Sequence, residues 1–411
     1  MIRFIHCADI HLGRSIRSHM DMPDDFVEAV QQATYLSFQR IIDKAIELNV
    51  DFVLVCGDLF DNEHRSLRAQ WFVKKQAVRL AERNIPLYLI HGNHDPLIKM
   101  KLPISMPENV HVFPESVQAI KRKFREEEVY IYGFSYPERA YKDNPIPPYK
   151  KEGDDKAYHI GMLHGQERMQ QDHDPYAPFS LGELKEKGFD YWALGHIHKR
   201  QILSEKPPIV YPGNVQGGHR KETGSKGAYY VELTKTDTNM MFIGTAPVEW
   251  LKIQAKIDGL DSMEMFMEHI EEEIKNEISG NQYFIDLEVI GKGVLHDQLI
   301  DYKDQQEFIS LLRDELSISV RNVWIEKIHF KTMPFIDRKE LSNQEHLMGD
   351  VVRIVDSLKM EKTDEAALRP VFSHPILKQF LDQLSEVDRQ EILDQAENLL
   401  LTSLMDNEVR R

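Results

Sequence analysis

The sequence predicts an α/β fold: a β-sandwich flanked by helices, then a smaller α+β domain and a helical C-terminal tail. Three observations carry this. Short apolar runs alternate with helical segments up to residue 90, and later strands to 233 follow one another almost without helices. Two strand-helix-strand passes then occupy roughly 80 residues. After Pro334 only helical periodicity remains. At about 100–200 residues per domain, 411 residues suit such a division. The expected boundaries are 1–248 for the sandwich, 249–335 for the α+β domain and 336–411 for the tail.

Ile2–Cys7 is a short apolar strand. Residues 24–48 place Phe26, Val30, Tyr35 and Ile41 at helical spacing. Phe52–Cys56 is an unbroken apolar run, as in a strand covered on both faces. A second helix is expected over 67–82 and a third strand over 86–90. Further strands are expected at 129–134, 158–163, 191–194, 208–211 and 228–233. Leu251, Ile253, Ala255 and Ile257 alternate with polar residues, a half-buried strand. Met263, Phe266, Met267, Ile270 and Ile274 follow helical spacing. A strand at 283–290, a helix at 304–317 and a strand at 322–330 complete the two passes. In the tail, Leu347, Val351, Ile354, Val355 and Leu358 form one helical stripe. Pro370 and Pro375 mark a linker, and Ser385, three before Asp388, is a capping-box-like start. The last helix carries Val387, Ile392, Ala396, Leu399, Leu400 and Leu404.

Composition excludes several classes. With 42% apolar and 29% charged residues, the chain is globular. No stretch approaches the ~18 apolar residues of a membrane span. The opening Met-Ile-Arg-Phe-Ile-His lacks the apolar core of a signal peptide, so a cytoplasmic location is expected. Two cysteines, Cys7 and Cys56, cannot build a disulfide framework or a four-thiolate zinc site. They read as small buried hydrophobes. The net charge of −16 is unevenly spread: residues 1–250 carry −2, and residues 251–411 carry −14. The acidity therefore gives no argument against a polyanionic partner for the first part.

Five motifs stand at expected strand ends: Asp9-Ile-His11, Gly57-Asp58-Leu-Phe-Asp61, Gly92-Asn93-His94-Asp95, Gly161-Met-Leu-His164 and Gly195-His196-Ile-His198. In open α/β sheets ligands collect beyond the carboxyl ends of strands, so all five can converge on one edge. Aspartate, histidine and an asparagine amide form a mixed oxygen and nitrogen donor set without thiolate. That set suits Mn²⁺, Fe or Zn²⁺. Seven candidate ligands exceed the needs of one ion and fit two ions about 3.5–4 Å apart sharing a carboxylate.

These motifs, in this order across residues 9–198, resemble the calcineurin-like metallophosphoesterases. The resemblance implies a metallophosphoesterase β-sandwich, two divalent metal ions with Mn²⁺ foremost, and in-line hydrolysis of a phosphate ester. Carried over by position, Asp9, His11, Asp58 and His198 would hold one ion. Asp58, Asn93, His164 and His196 would hold the other, with Asp58 bridging. His94 would protonate or stabilise the leaving oxygen, and Asp61 would orient His94. The opening I-R-F-I-H-C-A-D-I-H-L-G, the block G-D-L-F-D and F-D-Y-W-A-L-G-H-I-H-K resemble the SbcD/YhaO-type nuclease subunits of DNA-repair complexes. That implies a DNA exonuclease working with an SbcC-like coiled-coil ATPase. The α+β region becomes a capping domain and the helical tail a partner-binding segment. Two departures concern Asp61, where some relatives have histidine, and Asn214, where serine is common.

Basic residues follow several of the motifs: Arg14 and Arg17, Arg65 and Arg68, Lys99 and Lys101, Lys199 and Arg200, with Arg220 and Lys221 in a later loop. Converging motifs would turn them into a rim suited to a DNA backbone; the plainer reading is solvated surface. His6, His91 and His159 read as core or supporting residues, and His173 and His219 as surface. The tail stripe reads equally as packing on its own chain. A phosphodiesterase or phosphatase for a small nucleotide or phosphoprotein is the competing enzyme, since one such site hosts many substrates. A scaffold without catalysis is the third reading, opposed by the complete ligand set. No G-x-x-x-x-G-K-[ST] loop is present, so ATP-driven steps need the partner. Homodimerisation is left open.

Overall fold

The computed structural model describes the chain apart from residues 15, 17–21, 62–64, 98–103, 169–175, 302–304, 336, 362–385 and 410–411. Arg17, Lys99, Lys101, His173, the proline linker and Ser385 lie outside the described residues. Two compact units are present. The first comprises Met1–Lys252, Ile278–Asp286 and Ser317–Glu326; the second comprises Ile253–Glu277, Leu287–Leu316 and Lys327–Arg411.

The first elements run β1 (Ile2–Cys7), α1 (Asp24–Glu47), β2 (Phe52–Cys56), α2 (Leu67–Ala81), β3 (Leu87–Ile90), β4 (Val110–Val112), β5 (Gln118–Phe124), β6 (Glu127–Gly133) and β7 (Tyr158–His164). They continue with α3 (Leu181–Glu186), β8 (Tyr191–Gly195), β9 (Gln201–Glu205), β10 (Pro208–Tyr211), β11 (Gly227–Leu233) and β12 (Thr238–Gly244). One sheet has the order β12-β11-β1-β2-β3-β4, the other β5-β6-β7-β8-β10-β9. Strands β1 to β4 are mutually parallel, and so are β6, β7, β8 and β10; antiparallel strands β12, β5 and β9 close three edges and parallel β4 the fourth.

The two faces of the first sheet bury different sets. Val53, Val55 and Leu87 pack with Phe38 and Ile41 of α1 and with Val73 of α2. Phe4, Phe52 and Leu54 pack against Ile131, Ile160 and Ala193 of the second sheet. A buried Phe or Leu side chain contributes about 1.5–3 kcal/mol, so this sandwich core makes a stiff platform for its loops. Ser66 starts α2, its hydroxyl accepting from the Ala69 amide at 3.1 Å.

The strand alternation also separates the two thiols. Cys7 pairs in register with Val55, so Cys7 faces the helices while Cys56 faces the second sheet. Both are fully buried and reduced. Burial, with the nearby Asp9 charge, holds the Cys7 thiol far above its ordinary range. Neither thiol is therefore expected to react with a maleimide in the native protein, and both should react on denaturation. Rapid labelling of the folded protein would contradict this packing.

The remaining elements are β13 (Val248–Lys256), α4 (Met263–Glu277), β14 (Gln282–Gly293), α5 (His296–Asp301), α6 (Gln305–Ser319), β15 (Val323–Pro334), α7 (Arg338–Ser342), α8 (Leu347–Glu361) and α9 (Glu386–Val409). Strands β13-β14-β15 form a three-stranded sheet. In the second unit, Phe308 stacks with Phe266 and meets Phe330 edge-on. The helical tail is present, and Arg338 ties it together through Asp356 of α8 at 2.6 Å and Glu397 of α9 at 3.0 Å. Leu399 and Leu400 stay exposed. Among the described residues no helix is long and apolar enough to cross a membrane.

Candidate metal centre

The five motifs converge because of strand order. Three follow the adjacent parallel strands β1, β2 and β3 of one sheet, and two stand at the ends of the adjacent parallel strands β7 and β8 of the other. Asp9, His11, Asp58 and His196 adopt left-handed backbone angles, with φ of 52°, 49°, 50° and 100°. Such conformations cost on the order of 1–3 kcal/mol each and persist only when the surroundings enforce them. Here the first motif is laced to the second: Asp9 N–H donates to Gly57 O at 3.1 Å, and Ile10 and His11 N–H both donate to Asp58 O at 2.9 Å. Gly92 leaves room for the side chains: a Cβ there would fall 2.4 Å from Asp58 Oδ1 and 2.6 Å from His164 Nε2.

Asp58 lies in the middle. Its Oδ2 is 3.5 Å from His164 Nε2 and 3.9 Å from His11 Nε2, and its Oδ1 accepts the His94 amide at 2.9 Å. Donor atoms of Asp9, His11 and His198 lie within 4.8 Å of one another, as do those of His11, Asp58 and His94, and those of Asp9, Asp58 and His164. Asn93 Oδ1 is 3.0 Å from His164 Nε2 and 3.2 Å from His196 Nδ1. All seven residues named as ligands are thus side by side.

Lone pairs, not protons, meet at the centre. His164 Nδ1 donates to Cys56 O at 3.0 Å, which leaves Nε2 as a bare acceptor facing Asn93 Oδ1. His198 Nδ1 donates to Glu222 Oε1 at 2.5 Å, which leaves its Nε2 facing His11 Nε2 at 3.1 Å. Asp9 and Asp58 are both buried. Burial, then the charge of Asp58, pushes the Asp9 carboxyl well above its usual range. Burial and the neighbouring His198 hold His11 well below its own. Facing acceptors and crowded carboxylates are what a divalent cation relieves, and the oxygen and nitrogen donor set fits such an ion.

His94 Nδ1 donates to the main-chain carbonyl of Asp61 at 3.0 Å, so Nε2 is the nitrogen left for substrate. Asp61, the residue proposed to orient His94, meets it through this carbonyl, while its carboxylate Oδ1 lies 3.5 Å from His11 Nδ1.

Arg65 also differs from the expected rim. It is 3% exposed, donates to the carbonyls of Asp95 and Pro96, and lies over the Phe60 ring at 5.5 Å. Its role is to brace the third motif. Arg68 is exposed, pairs with Gln32 at 2.8 Å and covers Tyr35. Arg14 is half-buried beside Gly218. Lys199 and Arg200 are exposed next to His198, with Arg200 over the Phe242 ring at 3.7 Å. His6 is a core residue held by Tyr191 and Leu194 O, and His159 is held by Tyr132 and Asp154 O.

Sequence reasoning missed two supports. Asp95 is fully buried and accepts from the amides of Leu59, Phe60 and Gly92 and from His91 Nδ1, knotting the second motif to the third. Its position inside the third motif was the available signal. Glu222 holds His198 and accepts from Asn214 Nδ2 at 3.1 Å and Gly218 N–H at 2.6 Å. Burial opposes its charge, yet the hydrogen bonds from His198 and the Gly218 amide hold its carboxyl at about 2. Glu222→Gln should weaken metal binding by about 10–100-fold, the usual cost of losing such a support. Excess metal should restore occupancy in a titration, and an unchanged affinity would reduce Glu222 to a loop fastener.

A model of the calcineurin-like phosphoesterase family matches residues 2–200. The chain is similar to the metallophosphoesterase YhaO of Bacillus subtilis (strain 168), with 36% identity over 409 residues and 98% of each chain covered. It is also similar to the DNA double-strand break repair protein Mre11 of Methanocaldococcus jannaschii, with 27% identity over 346 residues, 78% of this chain and 90% of that one. The Mre11 of Saccharolobus solfataricus is 25% identical over 384 residues, 89% of this chain and 96% of that one.

Proposed function

The chain belongs to the calcineurin-like metallophosphoesterases, and on that premise we propose that it is a metal-dependent DNA nuclease. It would hydrolyse phosphodiesters from a strand end, in the cytoplasm, within a DNA-repair complex that includes a coiled-coil ATPase. The observation that carries this reading is the reach of its similarity to DNA double-strand break repair proteins. That similarity covers 78–89% of the chain, far past the 2–200 match to the family. A small-ester phosphatase has no evident need for the second unit.

Asp9, His11, Asp58, Asn93, His164, His196 and His198 would hold two divalent ions; the donor set suits Mn²⁺, Fe or Zn²⁺, and the family resemblance favours Mn²⁺. Such ions supply charge neutralisation of the phosphate and acidification of a water molecule. The chain's own residues do the rest. The laced loops fix the donors before substrate arrives, so little reorganisation accompanies the reaction. His94, anchored at Nδ1, gives a proton from Nε2 to the leaving oxygen as the P–O bond breaks. Exposed Lys199 and Arg200 stand where a backbone phosphate can be met. The exposed Leu399 and Leu400 of α9 are the surface offered to the ATPase.

The deciding experiment compares kcat/KM on an end-labelled oligonucleotide with that on p-nitrophenyl phosphate and a phosphopeptide. Preference for the oligonucleotide is expected. Efficient monoester hydrolysis with intact DNA would replace the nuclease with the phosphatase reading.

A further inference from the structure

A cleft of about 220 Å³ opens beside His198. Lys199, Arg200 and Lys226 line it, with the hydroxyl residues Thr223 and Ser225, and no carboxylate does so among the described residues. The adjacent Glu222 is committed elsewhere, to His198, Asn214 and Gly218. Lys226 is only 9% exposed; the one hydrogen bond its ammonium makes among the described residues goes to His198 O at 3.1 Å, and the nearby Glu222 charge favours the ammonium without a hydrogen bond to it. An ammonium has three donors. Burying one with most of them unused is costly unless an anion completes the set.

We propose that this cleft is a phosphate subsite. It would take a backbone phosphate of the substrate strand beside the one being cleaved, with Lys226 as the anchoring cation. The proposal deepens the nuclease reading and rests on it. Size and charge suit a phosphodiester: three cations and two hydroxyls surround a space a few ångströms across. Arg200 also lines a second groove of about 790 Å³, but there Lys206 and Lys235 are balanced by Asp190, Glu205 and Asp237, so the subsite is confined to the smaller cleft.

The test uses the full-length, metal-replete protein and two substrates, a labelled oligonucleotide and bis(p-nitrophenyl) phosphate, which is too short to bridge to the cleft. Lys226→Gln should raise KM for the oligonucleotide about tenfold, the cost of one charge-assisted bond, with a much smaller change in kcat. The salt dependence of that KM should flatten by roughly 0.7 in logarithmic slope for a single strand. Lys226→Arg should recover most of the affinity. Lys199→Gln, at an exposed position, should shift the same KM and slope without risk to folding. Equal losses on both substrates, or a fall in kcat at unchanged KM, would make Lys226 a brace for the His198 loop and overturn the subsite. Wild-type protein that cleaves the small diester and leaves DNA intact would overturn the nuclease reading and the subsite together.

Discussion

Asp58→Asn is expected to empty the metal centre and leave a folded protein. The substitution removes one negative charge and keeps Oδ1, so the bond from the His94 amide at 2.9 Å can survive. What is lost is the shared carboxylate, since the donor atoms of Asp58 cluster both with those of His11 and His94 and with those of Asp9 and His164. Elemental analysis should find both ions absent. Turnover should fall well beyond the ~10–100-fold that loss of a supporting partner costs. Stability gives an independent readout. Metal at 100 times its dissociation constant stabilises the native state by about 2.7 kcal/mol. Chelation should therefore lower the Tm of the wild type and leave that of Asp58→Asn unmoved. Without metal, the variant should melt no lower than the wild type, because the Asp58 charge pushes against the buried Asp9. A variant that retains one tightly held ion would show that Asp58 serves a single site.

His94→Ala should produce the opposite pattern: full metal content and slow chemistry. His94 touches the centre through its amide and its anchored Nδ1, and neither contact is needed to place the seven proposed ligands. Removing a general acid typically costs about 10²–10⁴-fold in turnover. The loss should shrink on a diester with a good leaving group, such as nitrophenolate, because that oxygen departs without a proton. An equal loss on good and poor leaving groups would make His94 a structural residue.

The candidate centre was legible because its donors sit in short blocks directly after apolar strands. Asp58 follows Phe52–Cys56, and Asn93 follows the strand ending at Ile90. The parallel order of β1, β2 and β3 then brings three such blocks together. Glu222 was not legible, because its partner His198 is 24 residues away and no motif marks the pair. Arg65 was misread as a rim cation because sequence shows charge and not direction; the carbonyls of Asp95 and Pro96 draw it inward. The edge strands β5 and β9 escaped notice for a related reason. Edge strands carry polar and charged side chains that discourage pairing with other chains. Gln118–Phe124, with three basic residues, therefore lacks the apolar signature of an inner strand. The tail helices were readable from their stripes, but a stripe does not say which of its leucines stay exposed. Leu401 is buried while Leu399 and Leu400 are not.

The central claim is that one two-ion centre built from these five loops hydrolyses DNA. The measurement that tests it most directly is a Mn²⁺ titration of chelated full-length protein, read by digestion of end-labelled DNA. The account predicts no digestion in chelator, activity that rises with added metal and reaches its plateau at two ions per chain, and no recovery for Asp58→Asn at any metal concentration. Digestion in chelator, or a plateau at one ion per chain, would contradict it.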